Sequence, residues 1–308
     1  MTFTVEAFSE GPFELGEGPH WHPQLKKLFF VDITAGFAAT IDAAKKVQVL
    51  HQEDAGHTVS AVLPVEGQDN QIVVGVDTSV YLVDVATGEK KLLDKLATGG
   101  VRFNDAKCDP KGRLWIGTMG LETAPGVLTP EQGALYLLSK DGKLSEQLEK
   151  VSLSNGLAWS LDNKTLYYID SFVRLIYAFD YDIDTGKIAN RRVLVNMNED
   201  SDFLAAELPD GMTIDANGNL WVAMFNGKRI VSIDGKTGKV IDVIKMPTSM
   251  VTSVCFGGPN LDEMYVTSIK KFLDEKRKAE EPLAGYIFKV TSTKKDFKGH
   301  LPNFALQF

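Results

Sequence analysis

One short apolar pattern returns six times along this chain of 308 residues. Strand-like runs occur at KLFFVD around Leu28, QIVVGVD around Ile72, RLWIGTM around Leu114, TLYYID around Leu166, NLWVAMF around Leu220 and EMYVTS around Met264, at intervals of 44, 42, 52, 54 and 44 residues. A recurring period of this length marks an architecture of repeated supersecondary units. Three of the runs are followed 14 residues later by an Asp that ends a second strand, namely Asp42, Asp180 and Asp234, and Asp84 closes a similar run, SVYLVD, after a shorter connection. ALYLLSKDG and YIFKVT come later, behind the long loops LETAPGVLTPEQG and KKFLDEKRKAEEPLA. Glycines in VATGEK, DYDIDTGKI, IDGKTGKV and LSKDGKL sit where tight strand connections need positive φ. No sustained 3.6-residue apolar period accompanies them. Units of this size built from several short strands match propeller blades. The spacing therefore predicts an all-β, six-bladed β-propeller with four antiparallel strands per blade, one domain over residues 1–308.

Charge and composition narrow the function. The net charge of −8 and pI near 5.2 supply no basic field of the kind phosphate backbones require, so nucleic acid is not an expected partner. No apolar stretch approaches the roughly 18–20 residues that span a bilayer, and the opening MTFTVEAFSEGPF lacks the basic and apolar regions of a signal peptide. A cytoplasmic, monomeric protein without membrane attachment is the expectation. Cys108 and Cys255, each among strand-like apolar residues, read as two reduced core thiols. KKFLDEKRKAEE is charged nearly all round and reads as a solvated surface loop, with a lid as the other reading.

The chemistry lies 10 to 12 residues before each marker, where a blade begins its innermost strand. There GEGPHW, VSAVLP, RFNDAK, SNGLAW, PDGMTI and VTSVCF place Glu17, Ser60, Asn104, Asn155, Asp210 and Ser253 at nearly one offset. In a closed ring these six side chains are expected to face one another across the axis. Carboxylates brought together away from water raise each other's pKa unless a cation neutralises them. All-oxygen donors suit Ca²⁺ or Mg²⁺ and also hold Mn²⁺ or Zn²⁺ with water completing the shell. The few protein donors leave coordination positions open, as a catalytic metal requires. Arg102 precedes Asn104 by two residues, which on a strand puts both on one face toward the cavity. Glu122, at the end of the third marker strand and in the inserted loop, is expected to reach substrate hydroxyls.

These segments also resemble the regucalcin family, called senescence marker protein and grouped with gluconolactonases and luciferin-regenerating enzymes. GEGPHW, RFNDAKCDPKGRLWIGTM, SNGLAWS, YYIDS, FDYDIDTGKI, PDGMTIDANGNLWVA, FGGPNLDEMYVTS and GYIFKV carry the resemblance, in order, from near residue 14 to near residue 290. It implies a six-bladed propeller with one divalent metal in the channel, held by Glu17, Asn155 and Asp210. It further implies substrate contacts from Arg102, Asn104 and Glu122, and Asp210 as general base in hydrolysis of a small sugar lactone. Two segments depart from close vertebrate relatives: LAAELPDG has extra residues before Asp210, which bears on lid shape, and TSTKKDFKG replaces a glycine-rich end.

Rival chemistries find little footing. G-x-S-x-G, H-E-x-x-H and G-x-x-x-x-G-K-[ST] are all absent. His20 and His22 alternate beside Trp21 with no Ser or Cys partner and read as structural. DYDIDTGKIAN begins like an EF-hand, but Thr185 stands where Gly is needed and Arg191 where the bidentate Glu belongs, so a hairpin turn is expected. A calcium-binding regulator without catalysis, an organophosphate hydrolase and a luciferin-type enzyme are the alternative functions.

Overall fold

A computed structural model describes residues 2–123, 127–306 and 308. Among them are six four-stranded antiparallel sheets, the blades of a six-bladed propeller. Their innermost strands are Gly16–His22, Val59–Val65, Val101–Cys108, Ser154–Trp159, Leu208–Ile214 and Val251–Gly257, which number blades one to six. Each innermost strand packs against those of the two neighbouring blades, and blade six returns to blade one, so the ring is closed. Closure is sealed by hydrogen bonding: the N-terminal strand Phe3–Ala7 pairs antiparallel with Phe288–Ser292 and becomes the outermost strand of blade six. The sheet edges that remain toward the axis are the short innermost strands, packed against one another around the ring, which is how propellers protect unpaired strands.

All six marker runs fall on the second strand of a blade, as the spacing predicts. Innermost strands such as Val59–Val65 and Val251–Gly257 are buried throughout, whereas fourth strands such as Val47–Gln52 and Lys90–Lys95 are mostly exposed. Apolar side chains fill the wedges between blades. Ile169, Ile176 and Val195 of blade four, for example, pack against Met212, Val222 and Val231 of blade five. Burial of this kind, at roughly 25 cal/mol per Å² of apolar surface, is the main stabilising term.

Buried aspartates fix the hairpins. In the related segments DPKGRLW and DANGNLW, Asp109 and Asp215 accept hydrogen bonds from the turn's own backbone and from the indole N–H of Trp115 and Trp221. Asp109 also takes Arg113 and the Tyr181 hydroxyl. Asp84, Asp182 and Asp234 cap the T-G turns by accepting two backbone N–H groups each. DYDIDTGK is thus a hairpin, and its turn is held by Asp182. Asp180, the residue singled out by the 14-residue spacing, instead stays in the ladder opposite Thr165 and bonds Arg192.

Cys108 and Cys255 are buried and unbridged. KKFLDEKRKAEE forms a short exposed helix, Glu275–Glu280, in a strap tied down at both ends. Arg277 donates to Ser249 and Asn226, and Glu281 accepts the Ser249 N–H at 2.6 Å. The helix is solvated, as the surface reading expects, while Lys271, Phe272 and Leu273 just before it line the central cavity. Among the described residues no helix is long and apolar enough to cross a membrane.

Candidate active site

Every innermost strand carries a β-bulge at or before its midpoint. The pairing with the second strand slips between Glu17 and His20, Val59 and Ala61, Phe103 and Ala106, Ser154 and Leu157, Pro209 and Met212, and Val251 and Val254. A bulge sets two residues against one and re-aims a side chain. Asn104, Asn155, Asp210 and Thr252 are the first bulge residues of blades three to six, and all four line one cavity of about 490 Å³ at the N-terminal ends of the innermost strands. The glycines that follow two of them allow blades to touch. A Cβ on Gly156 would lie 2.6 Å from the Met212 Cβ, and one on Gly211 would lie 1.9 Å from the Ser253 Oγ. Asn155–Gly156 and Asp210–Gly211 are bulges at blade contacts, not turns.

Glu17, Asn155, Asp210, Arg102, Asn104 and Glu122 all line this cavity, so the candidate residues converge. Residues 124–126 of the loop after Glu122 lie outside the described residues. Two of the six expected inward positions do not take part. Ser60 turns to the carbonyl of Gly75 at 3.4 Å, and Ser253 packs against Gly211, because in blade six the bulge begins one residue earlier and presents Thr252.

A chain of hydrogen bonds links the candidate side chains. Arg102 Nη1 donates to Asn104 Oδ1 at 2.9 Å and Asn104 Nδ2 donates to Asn155 Oδ1 at 3.2 Å and to the Ser154 carbonyl at 2.9 Å. Asn155 Nδ2 in turn donates to Ser171 Oγ at 2.9 Å, and Ser171 donates to the Pro209 carbonyl at 2.6 Å, directly before Asp210. Aspartates lock the approach to two of these strands. Asp32 accepts the N–H groups of Glu14 and Leu15, and Asp170 those of Ser152 and Leu153.

Electrostatically the site is a cluster of strained acids. Burial, then the nearby Asp105, pushes the Glu17 carboxyl up to about 8. Asp210 is held well above the usual carboxylate range by burial, then by Glu17 and Asp105. Asp105 is itself raised by burial and eased by Lys107, whose ammonium donates to the Met212 carbonyl at 2.5 Å. Asp105 escapes sequence reasoning because strict alternation puts it opposite Asn104, and only the bulge brings it among the site's acids. It does not make a third carboxylate ligand: no three His, Cys, Asp or Glu side chains among the described residues are placed to hold a metal ion together. The donor set on offer is two carboxylates, Glu17 and Asp210, with the Asn155 carboxamide. Two buried acids whose carboxyls are both raised, with Arg102 easing Glu17 only in part, fit a divalent cation, which would stabilise both charged forms at once.

The segment before Asp210 has its own anchor. Glu207 is fully buried, accepts the Leu204 N–H at 2.8 Å and pairs with Arg229, with Nε to Oε2 at 3.0 Å. This holds Leu204 to Glu207 in place just before Leu208 and Pro209, which line the cavity.

Comparison with known proteins adds three observations. Residues 15–270 match the family model described as SMP-30/Gluconolactonase/LRE-like region. The chain is 40% identical to regucalcin of Bos taurus over 284 residues, covering 90% of each protein, and 40% identical to regucalcin of Xenopus laevis over 288 residues, covering 93% of this chain and 94% of the relative. Among solved structures, a luciferin-regenerating enzyme superposes with a TM-score of 0.89 at 34% identity, covering 99% of this chain and 100% of the other. A calcium-binding protein, regucalcin, from Agrobacterium tumefaciens superposes with a TM-score of 0.87 at 25% identity, covering 99% and 98%.

Proposed function

The chain belongs to the SMP-30/gluconolactonase/LRE-like family, and from that premise we propose that it hydrolyses a small lactone in the cavity ringed by Glu17, Arg102, Asn104, Asn155 and Asp210. The observation that carries this reading is convergence: five side chains from blades one, three, four and five line a single cavity large enough for a small organic substrate. Glu17, Asn155 and Asp210 would hold one divalent cation, which supplies Lewis-acid polarisation of the ester carbonyl when bound. With such a cation bound, Asp210 would be a carboxylate and would serve as general base. It takes a proton from a water whose oxygen bonds to the carbonyl carbon. The ring ester C–O bond then breaks, and the proton passes from Asp210 to the departing ring oxygen. Arg102, oriented by its bonds to Asn104 and the Phe103 carbonyl, steadies the substrate's oxygens with its remaining N–H groups.

The test is turnover of the full chain on glucono-1,5-lactone and δ-valerolactone after chelation and after adding back Ca²⁺, Mg²⁺, Mn²⁺ or Zn²⁺. Activity should vanish with chelator and return with at least one ion. Undiminished activity in metal-free protein would overturn the reading. A second reading, calcium binding without turnover, is favoured by the regucalcin relatives. It uses the same donors and is distinguished by tight calcium binding with no hydrolysis of any lactone.

A further inference from the structure

The cavity has two unlike halves. Its inner half is the oxygen-rich set from the innermost strands, and most of that polar capacity is already spent. Both Nδ2 hydrogens of Asn104 are donated within the protein, its Oδ1 accepts from Arg102, and Asn155 and Ser171 are committed onward in the same chain. The outer half comes from the connections between strands and from Phe225 at the end of the second strand of blade five, and apart from Glu122 and Lys271 it is hydrocarbon. Leu128, Phe172, Phe225, Phe272 and Leu273 line it from blades three, four and five and from the strap. Phe225 and Phe272, from separate elements, meet edge to face at 6.5 Å and 78°. Phe172 is 39% exposed although it lines the cavity, which marks an aromatic left at the mouth.

A polyhydroxylated ring would set hydroxyls against these aromatics with few partners, and polar groups buried unpaired cost binding energy. A hydrocarbon group there would be bound by removing apolar surface from water. From this division, and resting on the lactonase reading above, we infer that the substrate is a lactone bearing an alkyl or aryl substituent. Its ring ester sits among the inner-strand oxygens and its substituent lies against Phe172, Phe225 and Phe272.

The experiment compares kcat/KM for three probes on the metal-loaded full chain: glucono-1,5-lactone, unsubstituted δ-valerolactone and the same ring carrying a pentyl group beside the ring oxygen. The pentyl lactone should be preferred over the bare ring by about ten-fold or more, within the range that a few methylenes in an apolar pocket supply. Phe272→Ser should cut that preference several-fold, and Phe272→Leu should retain most of it. If glucono-1,5-lactone is the best substrate, or if the pentyl group brings no gain, the inference fails while lactone hydrolysis stands. If none of the three is hydrolysed, the lactonase reading fails and takes the inference with it.

Discussion

At the N-terminal ends of the six innermost strands, three buried carboxyls, Glu17, Asp105 and Asp210, gather beside a cavity of about 490 Å³. At the C-terminal ends of the same strands, His20, Trp21 and Trp159 surround only about 80 Å³, with His300 to Asn303 of the C-terminal segment lining it too. Phe304 sets its ring edge against His20 and His22, Asn303 donates to the Cys108 carbonyl at 3.0 Å, and Ala305 pairs with Val65. The bulges divide the two ends. Before and at the bulge the strands present oxygens to an open space; beyond it they present aromatic and apolar groups to a plug. One set of strands thus gives an end that spends stability on clustered charge and an end that recovers it by packing.

The comparison is broken most sharply at Asp210. Asp210→Asn should lower kcat/KM by about 10³-fold or more, since general base and metal ligand are lost together, while thermal unfolding shows the fold intact. Retained activity would dissociate the acids from the chemistry. Gly156→Ala attacks the same end through the backbone, since its Cβ would meet Met212 at 2.6 Å and the Asp210 carbonyl at 2.8 Å. Overpacking of this kind costs about 1–3 kcal/mol, so denaturant melts should show that loss and the remaining folded enzyme should turn over more slowly.

Changes at the plugged end should leave catalysis alone. Phe304→Ala removes a half-buried aromatic and should destabilise by about 2 kcal/mol, with kcat/KM of the folded fraction unchanged. A large fall in kcat/KM would show that the two ends are coupled. The last effect is a pH dependence, absent at neutral pH. Burial, then Lys107, lowers His20 from 6.5 to about 3. The unfolded chain therefore takes up this proton first as the pH falls. The contribution of His20 is intact above about pH 6.5 and is lost progressively toward pH 3. His20→Phe should flatten the fall of unfolding free energy across that window, by at most about 1.4 kcal/mol per pH unit. An unchanged slope would mean that His20 is hydrated in the folded state.

The ring was legible because second strands are continuous apolar runs, as at TLYYID and NLWVAMF, and a propeller repeats them with a period. The convergence of Glu17, Asn104, Asn155 and Asp210 on one cavity was legible because they lie 10 or 11 residues before those runs. What the pattern hid follows from the bulges. Alternation breaks there, so Asp105 joins the site's acids unannounced and Thr252 takes the place expected of Ser253. The closing strand Phe3–Ala7 and the tail around Phe304 carry no repeat signal, since each is fixed by a partner far along the chain. The apolar outer wall was hidden because Phe172 and Phe272 come from connections that hold no repeat offset, and Phe225, the last residue of NLWVAMF, carries no sign in the pattern that it faces the cavity.

The central claim is that Glu17, Asn155 and Asp210 meet on one ion. Crystals grown with Mn²⁺ or Ca²⁺ and recorded with anomalous scattering test it directly. The account expects a single strong peak with oxygens of all three side chains bound to it. A peak elsewhere, or none at saturating metal, would contradict it.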